Sequence, residues 1–279
     1  MSFESFMPVK EGVQQTPEFK FLEIQEEITR DVIRNCHGKK AAGYDKISMS
    51  IIKENNRILS PILTHLINLM ICTSKFPDSQ KIARVKPLFK KGSKFDTNNY
   101  RPISILTAIS KICEKVLAQQ LRLHFEMNNL FYDNQFGFRE GKNTCLAISK
   151  LMENLYESFN RSEIKQGVFL DFSKAFESVD HNVLLKKLPY YHFTSGAIKL
   201  MSSYLTDRSQ CVKLGDHRST MRKISVGVPQ GSVLGSILFL IFINDLINSA
   251  PQLEYILFVD DTNIFSSDPQ VLKSKPNQN

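Results

Sequence analysis

The chain has 279 residues, 42% of them hydrophobic and 23% charged, which suffices for one large globular domain or two intimate lobes. The longest apolar stretch, Val233 to Ile243, is shorter than the roughly 18 residues of a membrane span, and the N-terminus lacks the basic and apolar blocks of a secretory signal. Five scattered cysteines without a CxxC pair indicate reduced thiols in an intracellular protein, in the cytoplasm or the nucleus.

The formal net charge is +8, and most of the excess lies in one segment. Between Lys75 and Arg101 the sequence contains eight lysines and arginines against two acids, Asp78 and Asp96. Such a segment is either a solvated basic face or a contact surface for nucleic acid or polyphosphate. On a contact surface of that kind, positive charge supplies affinity that does not depend on base sequence.

The first half of the chain combines helical patterns with one pair of strands. Residues 1–20 show no periodicity and are predicted to be a disordered lead-in. Apolar residues at helical spacing predict helices over four ranges: 21–36, 55–72, 109–127 and 143–160. Within the basic segment, ARVKPLF (83–89) and YRPISIL (100–106) have the composition of strands and flank a polar turn. We therefore predict a basic β-hairpin between the second and third helices.

The second half contains more strand patterns. Strands are predicted at 166–172, 210–214, 222–226, 255–259 and 263–265, and helices from 181, from 195 and over 233–247. Asp180 is predicted to be the N-cap of the helix that starts at His181. Taken without its neighbours, the turn before the last helix is a plain turn with Ser232 as the cap. The final two strands flank Asp260-Asp261-Thr262, which predicts a hairpin with acids at its tip.

Two groups of acids follow apolar strands. Asp171 ends GVFLDF, whose apolar residues predict a carboxylate in apolar surroundings, and Asp260-Asp261 follows YILFV. Each group by itself is typical of a turn or a cap. Because side chains alternate along a strand, only one acid of the pair points toward Asp171 in a common sheet. Carboxylates brought together repel and raise each other's pKa, and a divalent cation between them relieves the repulsion. Two such ions can also hold the attacking and leaving oxygens of phosphoryl transfer.

The motifs around these acids resemble those of reverse transcriptases, most closely the non-LTR retrotransposon enzymes of the Jockey-like kind. Three segments resemble the palm motifs of that family: FLDFSKAFESVDH (169–181), VGVPQGSVLGSILFLIFINDL (226–246) and FVDDT (258–262). Two others resemble its fingers motifs: FPDSQKIARVKPLFKKGSKFDTNNYRPISIL (76–106) and NQFGFREGKNT (134–144). AAGYDKIS (41–48) is similar to a loop that precedes the fingers. The similarity extends over residues 20–266, with the motifs in family order.

The resemblance implies an α+β right-hand polymerase fold, with fingers and a partial palm but no thumb, and RNA-directed DNA polymerase activity. It implies that Asp171 and Asp260 ligate two Mg²⁺ ions, with Mn²⁺ as an alternative, and that the main-chain carbonyl of Phe172 is a further ligand. Asp261 is expected to be the weaker ligand of its pair. The implied partners are an RNA template, a DNA primer and deoxynucleoside triphosphates, and no membrane.

The resemblance also implies contacts with the nucleotide. Arg101 and either Lys90 or Lys91 are expected to hold the triphosphate, since Arg binds it bidentately and Lys as a point charge. Phe176 is expected beneath the incoming sugar, where its ring would clash with a 2′-hydroxyl, and Gln230 is expected to contact the nucleotide. Template or primer contacts are expected at four positions: Gln135, Arg139, Pro229 and Gly231.

This interpretation divides the chain into four parts: a lead-in (1–20), fingers with an N-terminal helical extension (21–165), a truncated palm (166–266) and a tail (267–279). The alternative is a truncated or decayed mobile-element relic, with at most weak nucleic-acid binding and no catalysis. An RNA-dependent RNA polymerase shares the palm but is disfavoured by Phe176 and FVDD. A separation above about 10 Å between residues 171 and 260 would exclude a shared pair of ions.

Overall fold

The computed structural model describes residues 16–38, 41–172 and 174–267. This part of the chain separates into two compact units that interleave along the sequence. The basic unit contains Thr16–His124 and Phe176–Leu238, and the carboxylate unit contains Phe125–Ala175 and the described residues from Phe239 onward. The grouping differs from the predicted linear division at residue 165, because strands that precede and follow the 176–238 segment pair in one sheet.

The described residues form a mixed α and β structure, as predicted. Its helices are α1 (Glu26–Arg34), α2 (Met49–Glu54), α3 (Asn56–Thr73), α4 (Ala108–Met127), α5 (Thr144–Asn160), α6 (His181–Lys187), α7 (Ser195–Leu205) and α8 (Val233–Ile243). Its strands are β1 (Ile82–Phe89), β2 (Tyr100–Ile105), β3 (Gln166–Asp171), β4 (Arg208–Leu214), β5 (His217–Arg218), β6 (Arg222–Ile224), β7 (Glu254–Phe258) and β8 (Asp261–Ser266). None of these helices is long and apolar enough to cross a membrane.

The start of the described chain corrects the predicted lead-in. Residues 1–15 lie outside the described residues, but Phe19 is 5% exposed and belongs to the core of the basic unit. Its N–H donates to the His192 carbonyl at 2.8 Å, and its carbonyl accepts from the Thr194 N–H at 2.9 Å. Residues 16–20 are therefore part of the fold. The predicted tail, apart from Ser267, also lies outside the described residues.

The apolar spacing predicts that the first helix begins at Phe21, but in the structure α1 begins at Glu26. The main chain before it bonds to side chains of other helices. The Leu22 N–H donates to Gln120 Oε1 at 2.8 Å, and the Ile24 N–H donates to Asn68 Oδ1 at 2.9 Å. The same two side chains donate to the carbonyls of Leu22 and Ile24, each at 2.9 Å. A helix that began at Phe21 would need these carbonyls as intrahelical acceptors, so the segment stays extended.

A mixed sheet positions the basic hairpin within the basic unit. β1 and β2 pair antiparallel, with Arg84 opposite Ile105 and Phe89 opposite Tyr100, which confirms the predicted hairpin. β4 runs parallel to β1, and both β5 and β6 pair with β4. The hairpin is therefore anchored along β1, while residues 88–98 around its turn are exposed.

A buried carboxylate of α4 holds the start of α8 in the basic unit. Glu114 is 0% exposed, and its carboxylate accepts from the Val233 N–H at 2.8 Å and from the Ser110 hydroxyl at 3.1 Å. Burial raises the pKa of the Glu114 carboxyl, while the buried Arg208 guanidinium opposes that rise. A carboxylate at the first amides of a helix also interacts favourably with the helix dipole. The contact fixes the helix start that follows the turn at Pro229–Gly231.

The carboxylate unit is built on a three-stranded antiparallel sheet in the order β3-β8-β7. Its buried core contains Phe136, Ala147, Ile256 and Phe265. β3 lies at an edge of this sheet, and its residues from 167 to 171 are exposed. The expectation of apolar surroundings for the Asp171 carboxylate is therefore wrong, because the residue is exposed.

Candidate active site

The three acids that the sequence singles out lie together at one end of the β3-β8-β7 sheet. Asp171 is directly opposite Asp261 in the pairing of β3 with β8, and the two-residue turn Val259-Asp260 joins β7 to β8. Paired residues have Cα atoms about 5 Å apart and consecutive Cα atoms are about 3.8 Å apart, so the Cα atoms of Asp171 and Asp260 lie within about 9 Å. The separation that would exclude a shared metal site is not reached.

The strand register distinguishes the two adjacent acids. The resemblance ranks Asp260 as the stronger ligand, whereas the structure places Asp261 in the ladder opposite Asp171, and Asp260 in the turn. Cross-strand partners present their side chains on the same face of a sheet. Asp171 and Asp261 are exposed, and Asp260 is half-buried. Asp261 is thus the acid that shares a face with Asp171, and Asp260 approaches from the turn.

The electrostatics of this cluster favour a cation. Partial burial raises the pKa of the Asp261 carboxyl, and the neighbouring charges of Asp260 and Asp171 raise it further. Each cause disfavours a negative charge at that carboxyl, and a divalent cation between the acids removes the repulsion. Carboxylate oxygens are the ligands that Mg²⁺ prefers, so the donor set fits this ion.

The acids do not form a complete metal cage by themselves. Within the described part of the chain, no group of three or more acidic, histidine or cysteine side chains is arranged to hold a metal ion. Mg²⁺ in nucleotide-handling sites is commonly bound through one or two carboxylates, with substrate phosphates and water as the other ligands. The observed arrangement therefore fits an ion whose coordination is completed by the substrate.

The turn that carries Asp260 has an unusual backbone conformation. Val259 has φ +60°, a region in which a β-branched side chain clashes with its own backbone. The first position of such a two-residue turn ordinarily takes glycine, and a residue held in this region costs about 1–3 kcal/mol. Strain is therefore stored directly beside the acids.

Gln135 lies against this turn and not on a template path as predicted. Its side chain is 2% exposed, which leaves no surface for a nucleic acid. Its Oε1 accepts from the N–H of Val259 at 3.1 Å and from the N–H of Gly137 at 2.9 Å. The motif NQFGFREGKNT identifies Gln135 as a candidate site residue, but no local sequence pattern indicates that its partner is Val259, 124 residues away.

Arg139 is also engaged within the carboxylate unit. Its guanidinium forms an ion pair with Glu126, donates to the Tyr132 carbonyl at 2.9 Å and lies 5.3 Å from the centre of the Phe131 ring. Only 9% of the side chain is exposed. Arg139, for which a template or nucleotide contact is predicted, thus joins the end of α4 to the segment that leads to Gln135.

The predicted triphosphate ligands lie on the exposed hairpin of the basic unit. Lys90, Lys91 and Arg101 are exposed, and no described acid forms an ion pair with any of them. Arg101 is opposite Leu88 in the β1-β2 ladder, and the Lys90 N–H donates to the Asn99 carbonyl at 2.8 Å. Cations without acidic partners remain available for an anionic ligand.

The turn at Pro229–Gly231 is bonded to the same hairpin. The Ser104 N–H of β2 donates to the Gln230 carbonyl at 2.8 Å. Gly231 has φ +104°, and a Cβ there would lie 3.1 Å from the Ser104 carbonyl, so the residue type permits this close approach. Ser232 caps α8, because its Oγ accepts from the Gly235 N–H at 2.9 Å.

The segment from Phe176 is held against the residues that lead into this turn. The Phe176 carbonyl accepts from the Val228 N–H at 2.8 Å, and the Val179 carbonyl accepts from the Gly227 N–H at 2.7 Å. Phe176 is half-buried, whereas Phe172, directly after β3, is exposed. Asp180 Oδ1 accepts from the N–H groups of residues 182 and 183, which confirms the predicted N-cap.

The carboxylate unit thus carries paired acids on adjoining antiparallel strands, and the basic unit carries an exposed basic hairpin. The chain belongs to the reverse transcriptase family, since residues 89–278 match the family described as reverse transcriptase (RNA-dependent DNA polymerase). The resemblance found in the motifs is thereby confirmed.

Two of the relatives that this chain matches are named for mobile elements. It is 32% identical over 223 residues to the probable RNA-directed DNA polymerase from transposon BS of Drosophila melanogaster, covering 77% of this chain and 24% of the relative. It is 28% identical over 254 residues to the RNA-directed DNA polymerase from mobile element jockey of the same organism, covering 88% of this chain and 28% of the relative. The chain thus spans about a quarter of the length of these relatives.

Among solved structures, the chain is similar to apo telomerase from Candida tropicalis truncated from its C-terminal domain. The TM-score is 0.49 at 15% identity, covering 70% of this chain and 45% of that chain. The family assignment rests on the sequence match and not on this likeness.

Proposed function

We propose that this chain is an RNA-directed DNA polymerase domain of a non-LTR retrotransposon. In the proposed reaction, the 3′-hydroxyl of a DNA primer attacks the α-phosphate of a deoxynucleoside triphosphate paired with an RNA template. The observation that carries the proposal is the register that puts Asp171 opposite Asp261, with Asp260 in the adjoining turn. Membership of the reverse transcriptase family supports it.

The three acids would hold Mg²⁺, with Mn²⁺ as the alternative ion and the Phe172 carbonyl as a further ligand. When bound, the ions neutralise charge that develops on the attacking and leaving oxygens. The protein's own contribution is position: the sheet fixes Asp171 and Asp261 on one face, and the turn fixes Asp260 beside them. The raised pKa of Asp261 is consistent with an acid cluster built for a cation.

The basic unit would supply the contacts with the nucleotide. Exposed Arg101, with Lys90 or Lys91, would bind the triphosphate, and Gln230 would contact the incoming nucleotide. Phe176 would exclude a 2′-hydroxyl. Its half-buried position and its main-chain bond to Val228 support this role, because a fixed ring discriminates better than a mobile one.

The template and primer would pass along the turn at Pro229 and Gly231. The hydrogen bond between Ser104 and Gln230 couples this turn to the hairpin.

All five cysteines are free, which suits the proposed intracellular location, in the cytoplasm or the nucleus.

Primer extension on an RNA template by the full chain tests the proposal. We expect extension with Mg²⁺ and deoxynucleotides, and its loss in Asp260→Asn by roughly a thousandfold, since metal binding supplies several kcal/mol to such a transition state. Asp216→Asn is the matched control: Asp216 is an exposed turn acid of the basic unit, and its replacement should leave the rate unchanged. Extension that persists in Asp260→Asn would refute the assignment.

Two further outcomes separate the alternatives. Ribonucleotide incorporation equal to that of deoxynucleotides would favour an RNA-dependent RNA polymerase and contradict the role of Phe176. Retained RNA binding without extension by the wild-type chain would favour the relic. We expect neither.

A further inference from the structure

The acid-bearing turn is fastened to a segment distant in sequence. The Leu257 N–H donates to the Asn134 carbonyl at 2.9 Å, and the Phe136 N–H donates to the Leu257 carbonyl at 2.8 Å. Residues 134–136 thus lie beside β7 in parallel, two residues before the turn. Asp260 and Asp261 therefore follow a strand that is hydrogen-bonded on both edges, by β8 and by this segment.

Gln135 continues this attachment into the turn itself. A single atom, Oε1, accepts from the N–H groups of Val259 and Gly137 at 3.1 and 2.9 Å. Both partners are donors, so the amide must present its oxygen to them, and this fixes the orientation of the side chain. The amide nitrogen is buried and has no hydrogen-bond partner among the described residues. The side chain therefore acts through its oxygen, on the main chain of the turn.

Gly137 makes this approach possible. A Cβ at residue 137 would lie 2.4 Å from the Val259 nitrogen and 3.1 Å from the Phe258 carbonyl carbon, closer than side chains come to backbone atoms. The missing side chain lets the 134–137 segment pass directly beneath the turn. The contact is thus built from two residues of the QFG sequence, one that bonds and one that leaves space.

The bonded residue is the one with the unfavourable backbone conformation. Val259 has φ +60°, and without a partner its N–H would be a buried donor in a strained turn. A relaxed turn would change the direction in which the next residue, Asp260, points. An acceptor that lies in a hydrogen-bonded segment opposes that relaxation.

From these contacts we propose that Gln135 is a positioning residue for the catalytic acids: its Oε1 holds the Val259-Asp260 turn in the conformation that directs the carboxylates toward Asp171. The inference rests on the proposed function for its effect on catalysis. Gln135 touches neither nucleotide nor template in this role, because it is buried beneath the turn. Its replacement should therefore lower kcat and leave the KM for the nucleotide unchanged.

Two substitutions of Gln135 separate the hydrogen bond from side-chain volume. Gln135→Met keeps the length and volume but has no oxygen, whereas Gln135→Glu keeps an oxygen in place to accept from both N–H groups. We expect Gln135→Met to lower kcat about tenfold or more, with KM for the nucleotide within about twofold, and Gln135→Glu to recover most of that loss. Equal activity of Gln135→Met and wild type would overturn the proposal, as would a change confined to KM.

Hydrogen exchange of the metal-free full chain provides a readout independent of activity. In Gln135→Met, amides of residues 254–262 should exchange about tenfold faster than in wild type, while those of β1 and β2 should not change. Unchanged protection of residues 254–262 would overturn the proposal. If the wild-type chain failed to extend a primer, the proposed function would fail, but exchange would still decide whether Gln135 holds the turn.

Gln120 offers a matched control. Its amide also bonds to the main chain, since Oε1 accepts from the Leu22 N–H at 2.8 Å and Nε2 donates to the Leu22 carbonyl at 2.9 Å. It belongs to the basic unit. Gln120→Met should speed exchange around Leu22 and leave residues 254–262 and kcat unchanged. Equal effects of Gln120→Met and Gln135→Met on kcat would indicate general loosening of the fold and would contradict the proposal.

Discussion

Replacing Gly137 by alanine adds one methyl group directly beneath the turn that carries Asp260. The added Cβ would lie 2.4 Å from both the nitrogen and the Cγ2 of Val259. The nitrogen is a backbone atom in a turn anchored by β7 and β8, so the overlap cannot be relieved by a change of rotamer. The substitution removes no functional group and changes no charge. Its effect therefore measures how strongly stability and the extension rate depend on the position of the turn.

The structure gives the size of the expected displacement. An ordinary contact begins at 3.4 Å, so the turn and the 134–137 segment must separate by about 1 Å. The same shift takes Gln135 Oε1 from 3.1 Å to about 4 Å from the Val259 nitrogen, beyond hydrogen-bonding range. Overpacking and an unsatisfied buried N–H each cost about 1–3 kcal/mol, and the lower entropy of the unfolded chain offsets less than about 1 kcal/mol.

We therefore expect Gly137→Ala to lower the free energy of unfolding by about 2–4 kcal/mol and the extension rate about a hundredfold, since a displacement of about 1 Å at reacting groups has an effect of that order. Urea-induced unfolding and single-turnover primer extension measure the two quantities. Gly38→Ala is the control, because its added Cβ would lie 3.8 Å from the nearest atom, and it should change stability by less than about 0.5 kcal/mol. Wild-type stability and rate in Gly137→Ala would refute the reasoning.

Two further predictions concern pH. Burial raises the pKa of Glu114 in the folded protein, so the folded state keeps the proton to a higher pH than the unfolded chain does. The Glu114 carboxyl therefore lowers the free energy of unfolding as pH rises above about 4.3. Glu114→Gln should therefore gain stability relative to wild type over that range in urea unfolding, and a difference independent of pH would contradict the assignment. The pKa of Asp261 is also raised, so proton and Mg²⁺ compete there. The Mg²⁺-dependent rise in melting temperature should grow as pH increases above about 4, and should lose that dependence in Asp261→Asn.

Local patterns predict the elements that are locally determined. The basic hairpin, the start of α6 at its Asp180 cap and the strand β3 were all available from spacing and composition, because short-range sterics and capping decide them. The convergence of Asp171 with Asp260 and Asp261 was available for a different reason. Two apolar strands that each end in acids bring those acids together once they share a sheet, and the motifs indicated that they do.

The remaining features depend on contacts between distant residues. α1 starts at Glu26 because the side-chain amides of Gln120 and Asn68 donate to carbonyls of the chain before it, and neither residue lies near it in sequence. The partners of Gln135 and Arg139 show the same dependence on distant contacts. Both are polar residues in a motif associated with ligand contact, yet the structure satisfies them with protein groups. Residue type indicates that a polar group needs a partner, but only the tertiary structure identifies that partner.

Two unfavourable contributions to the free energy act at the β7-β8 turn, carboxylate repulsion and backbone strain, and they are offset by different interactions. Repulsion among the carboxylates is electrostatic, so a bound divalent cation relieves it. The backbone conformation of Val259 is steric, so no ion relieves it, and only packing and hydrogen bonds can offset it. The structure supplies these through Gln135, the space at Gly137 and the core around Phe136. Excess Mg²⁺ should consequently restore function where only charge balance is disturbed, but not where the turn has lost its support, because the ion requires ligands that are already in place.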